Sequence, residues 1–434
     1  MKENIYTRFK KTLDYLYTQL PMFQRVGDQA FKKDLTNIKL LCAHLGNPYE
    51  SYPCIHIAGT NGKGSTAHLI SGMLQAQGYK VGLYTSPHYR DFRERIKIDG
   101  KYISRKYVVN FVEEHQAVFA EIQPSFFEIT VALAFDFFAK EKIDVAVIET
   151  GLGGRLDSTN IITPILSVIT NISFDHQQFL GNTLKKIAGE KAGIIKKNIP
   201  VVIGETQEEV VSVFTKKAAS KKSEIILADE HFEVIPKKEN LTHTTYDILK
   251  DGVTIFSNQK INIHGGFQRK NIATALQAME LINGQFSVSE KKKKWAWLHL
   301  KQLTNFKGRW QILQKNPTVL CDSAHNEGGL RWAMQQLKSL KTNQLHCVVG
   351  MVNDKSLEKM LQFFPTDALF YFCKPDIPRG LPVDKLTEEA KAIGLNGRAY
   401  SSVKNALKAA KRKAGKKDVI YVGGSTFVVA EVIP

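Results

Sequence analysis

At the start of the chain apolar residues recur at helical spacing. Leu13, Tyr15, Leu16 and Leu20 form one stripe and Leu35, Ile38, Leu41 and Leu45 a second, which Gly46-Asn47-Pro48 ends. Beyond residue 50 the period changes. Short β-rich runs at 55–58, 81–85, 145–149 and 165–170 alternate with stretches long enough for helical crossovers. Strands buried on both faces read as continuous apolar runs, so the pattern predicts an α/β fold with a mostly parallel sheet and helices on both faces. Polar and apolar positions alternate within 229–262, most clearly over 242–255, which predicts a small antiparallel patch. After a break near 301–308 the α/β alternation resumes with runs at 319–321, 346–350, 369–373 and 419–423. Two domains are expected, residues 1–303 and a smaller α/β domain at 304–434.

Directly after the first of these runs stands Gly59-Thr60-Asn61-Gly62-Lys63-Gly64-Ser65-Thr66, and an amphipathic helical run follows. Three glycines let backbone N–H groups converge on an anion, the helix adds its positive dipole end, and Lys63 adds a mobile charge. Ser65 or Thr66 offers a hydroxyl to a Mg²⁺ bridging the phosphates. Only two residues separate Gly59 from Gly62, and Gly64 follows the lysine, so the loop departs from G-x-x-x-x-G-K-[ST]. A glycine-rich turn with one lysine also suits a plain connection. The strand before it and the helix after it favour a phosphate cradle.

Composition narrows the partners. With 434 residues, 43% of them hydrophobic, the chain is large enough for two or three well-buried cores. Lys and Arg number 60 against 42 Asp and Glu, a formal charge of +18 that favours polyanions: nucleic acid, anionic lipid or an anionic small substrate. The basic residues are dispersed, however. The one dense block, Lys291 to Lys294 beside Trp295 and Trp297, reads as a solvated helix face, so no nucleic-acid partner is expected. The five cysteines are far apart and lack a C-x-x-C pair, which points to a reducing compartment and away from structural zinc. The charged first residues lack an apolar leader core, and the longest apolar stretch, 130–139, is broken by Asp136. A cytoplasmic protein without a membrane partner is expected.

In an open parallel sheet ligands bind beyond the carboxyl ends of the strands. The residues there are the glycine loop, Ser86-Pro87-His88, the stretch from Glu149 to Asp157, and Asn171, Asp175 and His176. Ser86 alone could merely cap a turn, and His176 alone could be a satisfied core histidine. Glu149 at the end of an apolar strand has no packing reason to be a carboxylate. Together with the loop, Ser86, Glu149 and His176 form a candidate hard-cation site beside a γ-phosphate.

The residues resemble the folylpolyglutamate synthase and dihydrofolate synthase family within the Mur-type ATP-dependent amide ligases. The resemblance rests on Leu45-Gly46-Asn47-Pro48, the loop 59–65, Thr85-Ser86-Pro87-His88, Glu94-Arg95-Ile96, Phe127-Glu128, the stretches 149–160 and 190–195, Asp175-His176, Gly308-Arg309 and Asp322-Ser323-Ala324-His325-Asn326, which run in order from about residue 45 to 326. It implies a P-loop domain of Mur-ligase central type at 1–303 and a Rossmann-like glutamate-ligase domain at 304–434. ATP would sit on Gly59 to Thr66 with Asn271, Arg309, Asp322 and His325 adding contacts. Mg²⁺, two ions by the family pattern, would be held by Ser86, Glu149, His176 and Lys191, the last matching a lysine carried as a carbamate. Lys63, Lys191, His176 and Arg309 would serve catalysis. Phe267 stands where histidine is usual, and Lys307 and Glu327 where proline is usual. The implied activity is addition of L-glutamate to dihydropteroate, folate or both through an acyl phosphate, by a monomer acting on small molecules. A Mur-type ligase for a cell-wall nucleotide precursor and a nucleic-acid-stimulated NTPase are the alternatives.

Overall fold

The computed structural model describes residues 3–18, 34–240, 243–353 and 357–434. Leu20 and Thr242, invoked above, lie outside the described residues. The main sheet has eight strands: β1 Cys54–Ala58, β2 Val81–Tyr84, β3 Ile96–Ile98, β4 Lys101–Tyr102, β5 Val145–Glu149, β6 Leu166–Ile169, β7 Val201–Ile203 and β8 Ile225–Leu227. Their order is β4-β3-β2-β5-β1-β6-β7-β8. From β2 to β8 the neighbours pair parallel, and β3 and β4 add an antiparallel edge. The four long apolar runs thus fall together at the centre. β7 and β8, three residues each, are too short to announce themselves by period.

Strands β9 Phe232–Glu239, β10 Thr244–Lys250 and β11 Val253–Ile261 form the antiparallel patch. The second α/β unit holds β12 Gln311–Gln314, β13 Thr318–Asp322, β14 Leu345–Val349, β15 Leu369–Cys373, β16 Gly397–Tyr400 and β17 Val419–Gly423, ordered β12-β13-β17-β14-β15-β16. Only β12 runs antiparallel there.

Two apolar layers sandwich the main sheet. On one face Leu69, Ile70 and Met73 of the helix Lys63–Gln77 pack with Ile272 and Leu276 of the helix Gln268–Leu281 and with Tyr246 and Phe256 of the small sheet. On the other, Val108 and Phe119 of the helix Arg105–Ile122 and Val131 and Phe135 of the helix Phe126–Lys140 cover Ala146 and Ile148. The helix Phe126–Lys140 is apolar nearly all round because it is enclosed. Its Asp136 is buried and accepts a hydrogen bond from the Tyr107 hydroxyl at 2.7 Å. Among the described residues no helix is long and apolar enough to cross a membrane. All five cysteines are buried and free.

The basic block lies on the helix Glu290–Leu298. Trp297 is fully buried, with its ring edge-on to Phe256 at 5.1 Å, while Lys291, Lys292 and Lys294 are exposed. Truncating Trp297 to alanine is expected to cost about 3–5 kcal/mol, the range for emptying a large aromatic site. Lys292→Ala is expected to change stability by no more than about 0.5 kcal/mol. Chemical denaturation of the two variants checks the contrast, and equal losses would contradict this division of the helix.

Candidate active site

β1 lies between β5 and β6, with Ile57 paired to Glu149 and Ala58 to Ile169. The chain leaves β1 as the glycine loop and enters the helix Lys63–Gln77 at Gly62, whose φ of 84° is left-handed. A Cβ on Gly62 would lie 2.1 Å from Asn271 Oδ1, and one on Gly59 would lie 1.8 Å from Thr170 Oγ1. Neither position tolerates a side chain. The loop is further held by Thr60 N donating to Asn171 O at 2.8 Å, Asn61 N donating to Asn171 Oδ1 at 3.1 Å, and Thr170 Oγ1 donating to Asn61 O at 2.6 Å.

Two lysine amines converge on this loop. Lys63 Nζ donates to Gly59 O at 3.1 Å and Thr60 O at 3.3 Å, and Lys191 Nζ donates to the same Gly59 O at 2.8 Å. Lys191 ends the helix Leu184–Lys191 and is only 3% exposed. Burial, reinforced by the charge of Lys63, lowers its pKa to about 7. The surrounding motif explains the placement. A Cβ on Gly154 would lie 2.9 Å from the carbonyls of both Glu190 and Lys191, so the glycine lets the turn after β5 pack directly on the end of that helix. Arg155 pairs with Glu190 at 2.9 Å.

On the other side of the loop a cleft is lined by Gly64, Ser65, Ser86, Glu149, Arg309 and Thr426, among others. Glu149 is buried, and Ser86 N donates to its Oε2 at 3.0 Å. Burial raises the Glu149 pKa, while Lys63 and the Ser86 amide pull it down. A buried carboxylate next to serine hydroxyls in a glycine-lined cradle is the donor set of a hard cation, so the residues fit Mg²⁺. Ser65 is the loop hydroxyl that lines the cleft; Thr66 is fully buried behind it.

The remaining predicted residues occupy the domain junction. His176 has a φ of 48° and its Nε2 lies 3.8 Å from Asp175 Oδ1; it does not line the cleft with Glu149 and Ser86. Among the described residues no group of three His, Cys, Asp or Glu side chains is arranged to hold a metal. The sequence-based set therefore divides, with Ser86 and Glu149 in the cleft, Lys191 on Gly59, and His176 beside Asp175. Asp322 spends both oxygens on backbone, accepting from Trp310 N and Ala324 N at 2.8 Å each, which fixes the turn carrying Arg309. His325 Nε2 lies 3.5 Å from Asp175 Oδ2. Asn271 Nδ2 donates to Gln268 Oε1 at 2.9 Å, beneath Gly62.

Four further side chains, given no site role by the sequence, take part. Asn326 Nδ2 donates to Asn61 Oδ1 at 3.0 Å and to Asp175 Oδ2 at 3.1 Å, joining the second domain to the loop. Tyr89 stacks against Gly308 and its hydroxyl lies 3.0 Å from Ser323 Oγ. Lys97 is buried in the cleft, donates to Thr304 O at 3.2 Å, and has its pKa lowered to about 8 by burial. His68 also lines the cleft and is kept neutral by burial. Asn326 is the last residue of a motif already singled out, and Tyr89 directly follows another. Lys97 in Ile96-Lys97-Ile98 looks solvent-facing by alternation, yet it is buried and its amine reaches Thr304, some two hundred residues on.

Gly62→Ala forces a side chain into Asn271 at a left-handed φ, and should lower ATP affinity at least about tenfold, roughly the loss of one good charge-assisted contact. Calorimetric titration with ATP measures it, and unchanged affinity would remove the loop from the site. For Lys191, the unfolded chain keeps its proton up to the ordinary lysine range near about 10.4, whereas the folded chain loses it near about 7. Between these values the unfolded state binds more protons, so this residue makes stability rise with pH. Lys191→Met should flatten that rise in Tm measured from pH 7 to 10, and an unaltered slope would contradict the assignment.

Comparison with known proteins agrees with the geometry. Residues 57–279 match the Mur ligase middle domain, and residues 308–426 match the Mur ligase, glutamate ligase domain. The dihydrofolate synthase/folylpolyglutamate synthase of Bacillus subtilis is 33% identical over 92% of this chain and 94% of its own length. A Mycobacterium tuberculosis folylpolyglutamate synthase complexed with ADP and AMPPCP superposes with a TM-score of 0.87 at 30% identity, covering 98% of this chain and 97% of that one. Escherichia coli FolC in complex with DHPP and ADP gives 0.84 at 27% identity, covering 99% and 97%. Two Mur-ligase family matches and a relative 33% identical over nearly the whole of both chains accord with the glycine loop at the end of β1 and the buried carboxylate at the end of β5, and the chain belongs to the folylpolyglutamate synthase/dihydrofolate synthase family of Mur-type, ATP-dependent ligases.

Proposed function

We propose that the chain joins L-glutamate to the free carboxylate of dihydropteroate and of reduced folates, through an acyl phosphate. One observation carries this reading: the phosphate loop, the buried Glu149 and Arg309 from the second domain line a single cleft. The triphosphate of ATP lies on the loop amides, and Lys63 exchanges the Gly59 and Thr60 carbonyls for phosphate oxygens. Asn271, Asp322 and His325 support nucleotide binding through the walls they order. Ser86 and Glu149 would hold a divalent cation, with His176 and a Lys191 carbamate completing a two-ion set; such ions neutralise phosphate charge and align the leaving group.

The steps balance without a nucleophilic side chain. A carboxylate oxygen of the pterin substrate attacks the γ-phosphorus, ADP leaves, and a mixed anhydride forms. The glutamate amine then attacks the acyl carbon, phosphate departs with the anhydride oxygen, and one proton is released as the amide forms. Lys63 and Arg309 lie where negative charge concentrates during both steps. Lys191 suits carbamate formation because an amine with a pKa of about 7 is substantially neutral at physiological pH, and only the neutral amine captures CO₂. We take the enzyme to act as a monomer in the cytoplasm, where its five free thiols stay reduced.

Incubation with ATP, Mg²⁺, glutamate and either dihydropteroate or tetrahydrofolate, followed by mass spectrometry, tests the reading. Each pterin should gain one glutamyl residue, with ADP release that requires both pterin and glutamate. Product from one pterin alone would refute dual specificity. ADP release stimulated by nucleic acid and indifferent to glutamate would refute the ligase assignment.

A further inference from the structure

The catalytic cleft continues past the phosphate loop into a recess that neither catalytic step uses. Its walls are His68 on the helix Lys63–Gln77, Lys97 in β3, and the segment 305–309 that leads into the second domain. Phe306 of that segment is buried, with its ring 5.0 Å from the imidazole of His68. The hairpin of β3 and β4 anchors the segment: Lys97 Nζ donates to Thr304 O at 3.2 Å, and Asn305 Nδ2 donates to Gly100 O at 2.8 Å.

The basic groups of this recess lack anionic partners. Lys97 is 3% exposed, and its one hydrogen bond among the described residues, to Thr304 O, uses one of three N–H groups. Stripping water from an ammonium costs more than a single carbonyl returns. Arg309 likewise forms no ion pair among the described residues, since both oxygens of Asp322 are taken by the Trp310 and Ala324 amides. His68 Nδ1 is buried and has no hydrogen-bond partner among the described residues. Burial first, then the charges of Lys97 and Arg309, keep that imidazole neutral. Two carboxylates also line the cleft, and neither pairs directly with these cations. Glu94 accepts from the amides of Tyr89, Arg90 and Asp91 at 2.6, 3.2 and 3.1 Å, and Glu149 accepts from Ser86 N and belongs to the candidate cation site.

We propose that this recess is a seat for a small inorganic oxyanion, and that its occupant in turnover is the phosphate set free when the glutamate amine displaces it from the acyl carbon. The inference rests on the ligase reading of the cleft. Hydrogen phosphate carries two negative charges and no positive one. It matches the cations Lys97 and Arg309, with a neutral His68 donating from Nδ1 to a third oxygen. An amino acid would bring an ammonium, for which the lining has no uncommitted carboxylate. The route is continuous, because Gly64, Ser65 and Arg309 line the same cleft as Lys97 and His68.

Calorimetric titration of inorganic phosphate into the full chain, loaded beforehand with Mg²⁺ and a non-hydrolysable ATP analogue that fills the loop, tests the seat without turnover. The wild type should bind one phosphate per chain. Lys97→Met should weaken that binding about tenfold, the loss expected for one charge-assisted hydrogen bond, and Lys97→Arg should restore most of it. His68→Phe, which removes the unpartnered nitrogen and keeps a ring beside Phe306, should weaken it by a smaller factor. Retention of the analogue shows that each variant is folded. Failure of the loaded wild type to bind phosphate, or equal binding by Lys97→Met and the wild type, would overturn the proposal. So would competitive displacement of phosphate by L-glutamate, which would assign the recess to the amino acid. Absence of folate turnover by the wild type would instead overturn the ligase reading, while the titration still decides whether the recess takes an oxyanion.

Discussion

A single carbonyl oxygen, that of Gly59, receives the amines of both Lys63 and Lys191. Burial, and after it the neighbouring charge of Lys63, lowers the pKa of the Lys191 amine to about 7. The glycine requirement has the same origin: the loop threads between Thr170 and Asn271 with no room for a Cβ, so its carbonyls and amides are fixed where the two lysines and the phosphates need them.

The second domain is organised around the same loop. Asn326 and His325 reach Asn61 and Asp175, and Tyr89 packs over Gly308 next to Arg309. Asp322 contributes by holding the backbone of that turn, an indirect role that leaves Arg309 as the side chain in the cleft. The chemistry requires this division. An acyl phosphate is protected from hydrolysis where water is excluded, and a cleft walled by both domains provides that shelter.

Much of this was legible in the chain. The central strands, the antiparallel patch and the break before the second sheet carried their own periods, and β5, β15 and β17 begin and end where the pattern put them. The loop and Glu149 were legible because each violates what packing alone would select. Short β3, β4, β7 and β8 carry too few residues for a period to emerge, and the edge strands β12 and β16 carry polar residues where an apolar run would announce them. Lys97 and His68 were hidden for a different reason: what makes them unusual is burial by a segment some two hundred residues away, and alternation along one strand or helix does not register that. That His176 lies beside Asp175 and does not line the cleft with Glu149 is likewise a matter of tertiary direction, since strand ends tell which rim a residue occupies and not which way it turns.

The central claim is that the γ-phosphoryl group of ATP is delivered to a pterin-linked carboxylate. Oxygen-18 in that carboxylate reports on it directly. The acyl phosphate route transfers one labelled oxygen per turnover into the inorganic phosphate released, read by mass spectrometry or by the isotope shift of its phosphorus resonance. Phosphate carrying that single label is the predicted result; unlabelled phosphate accompanying glutamyl product would contradict it.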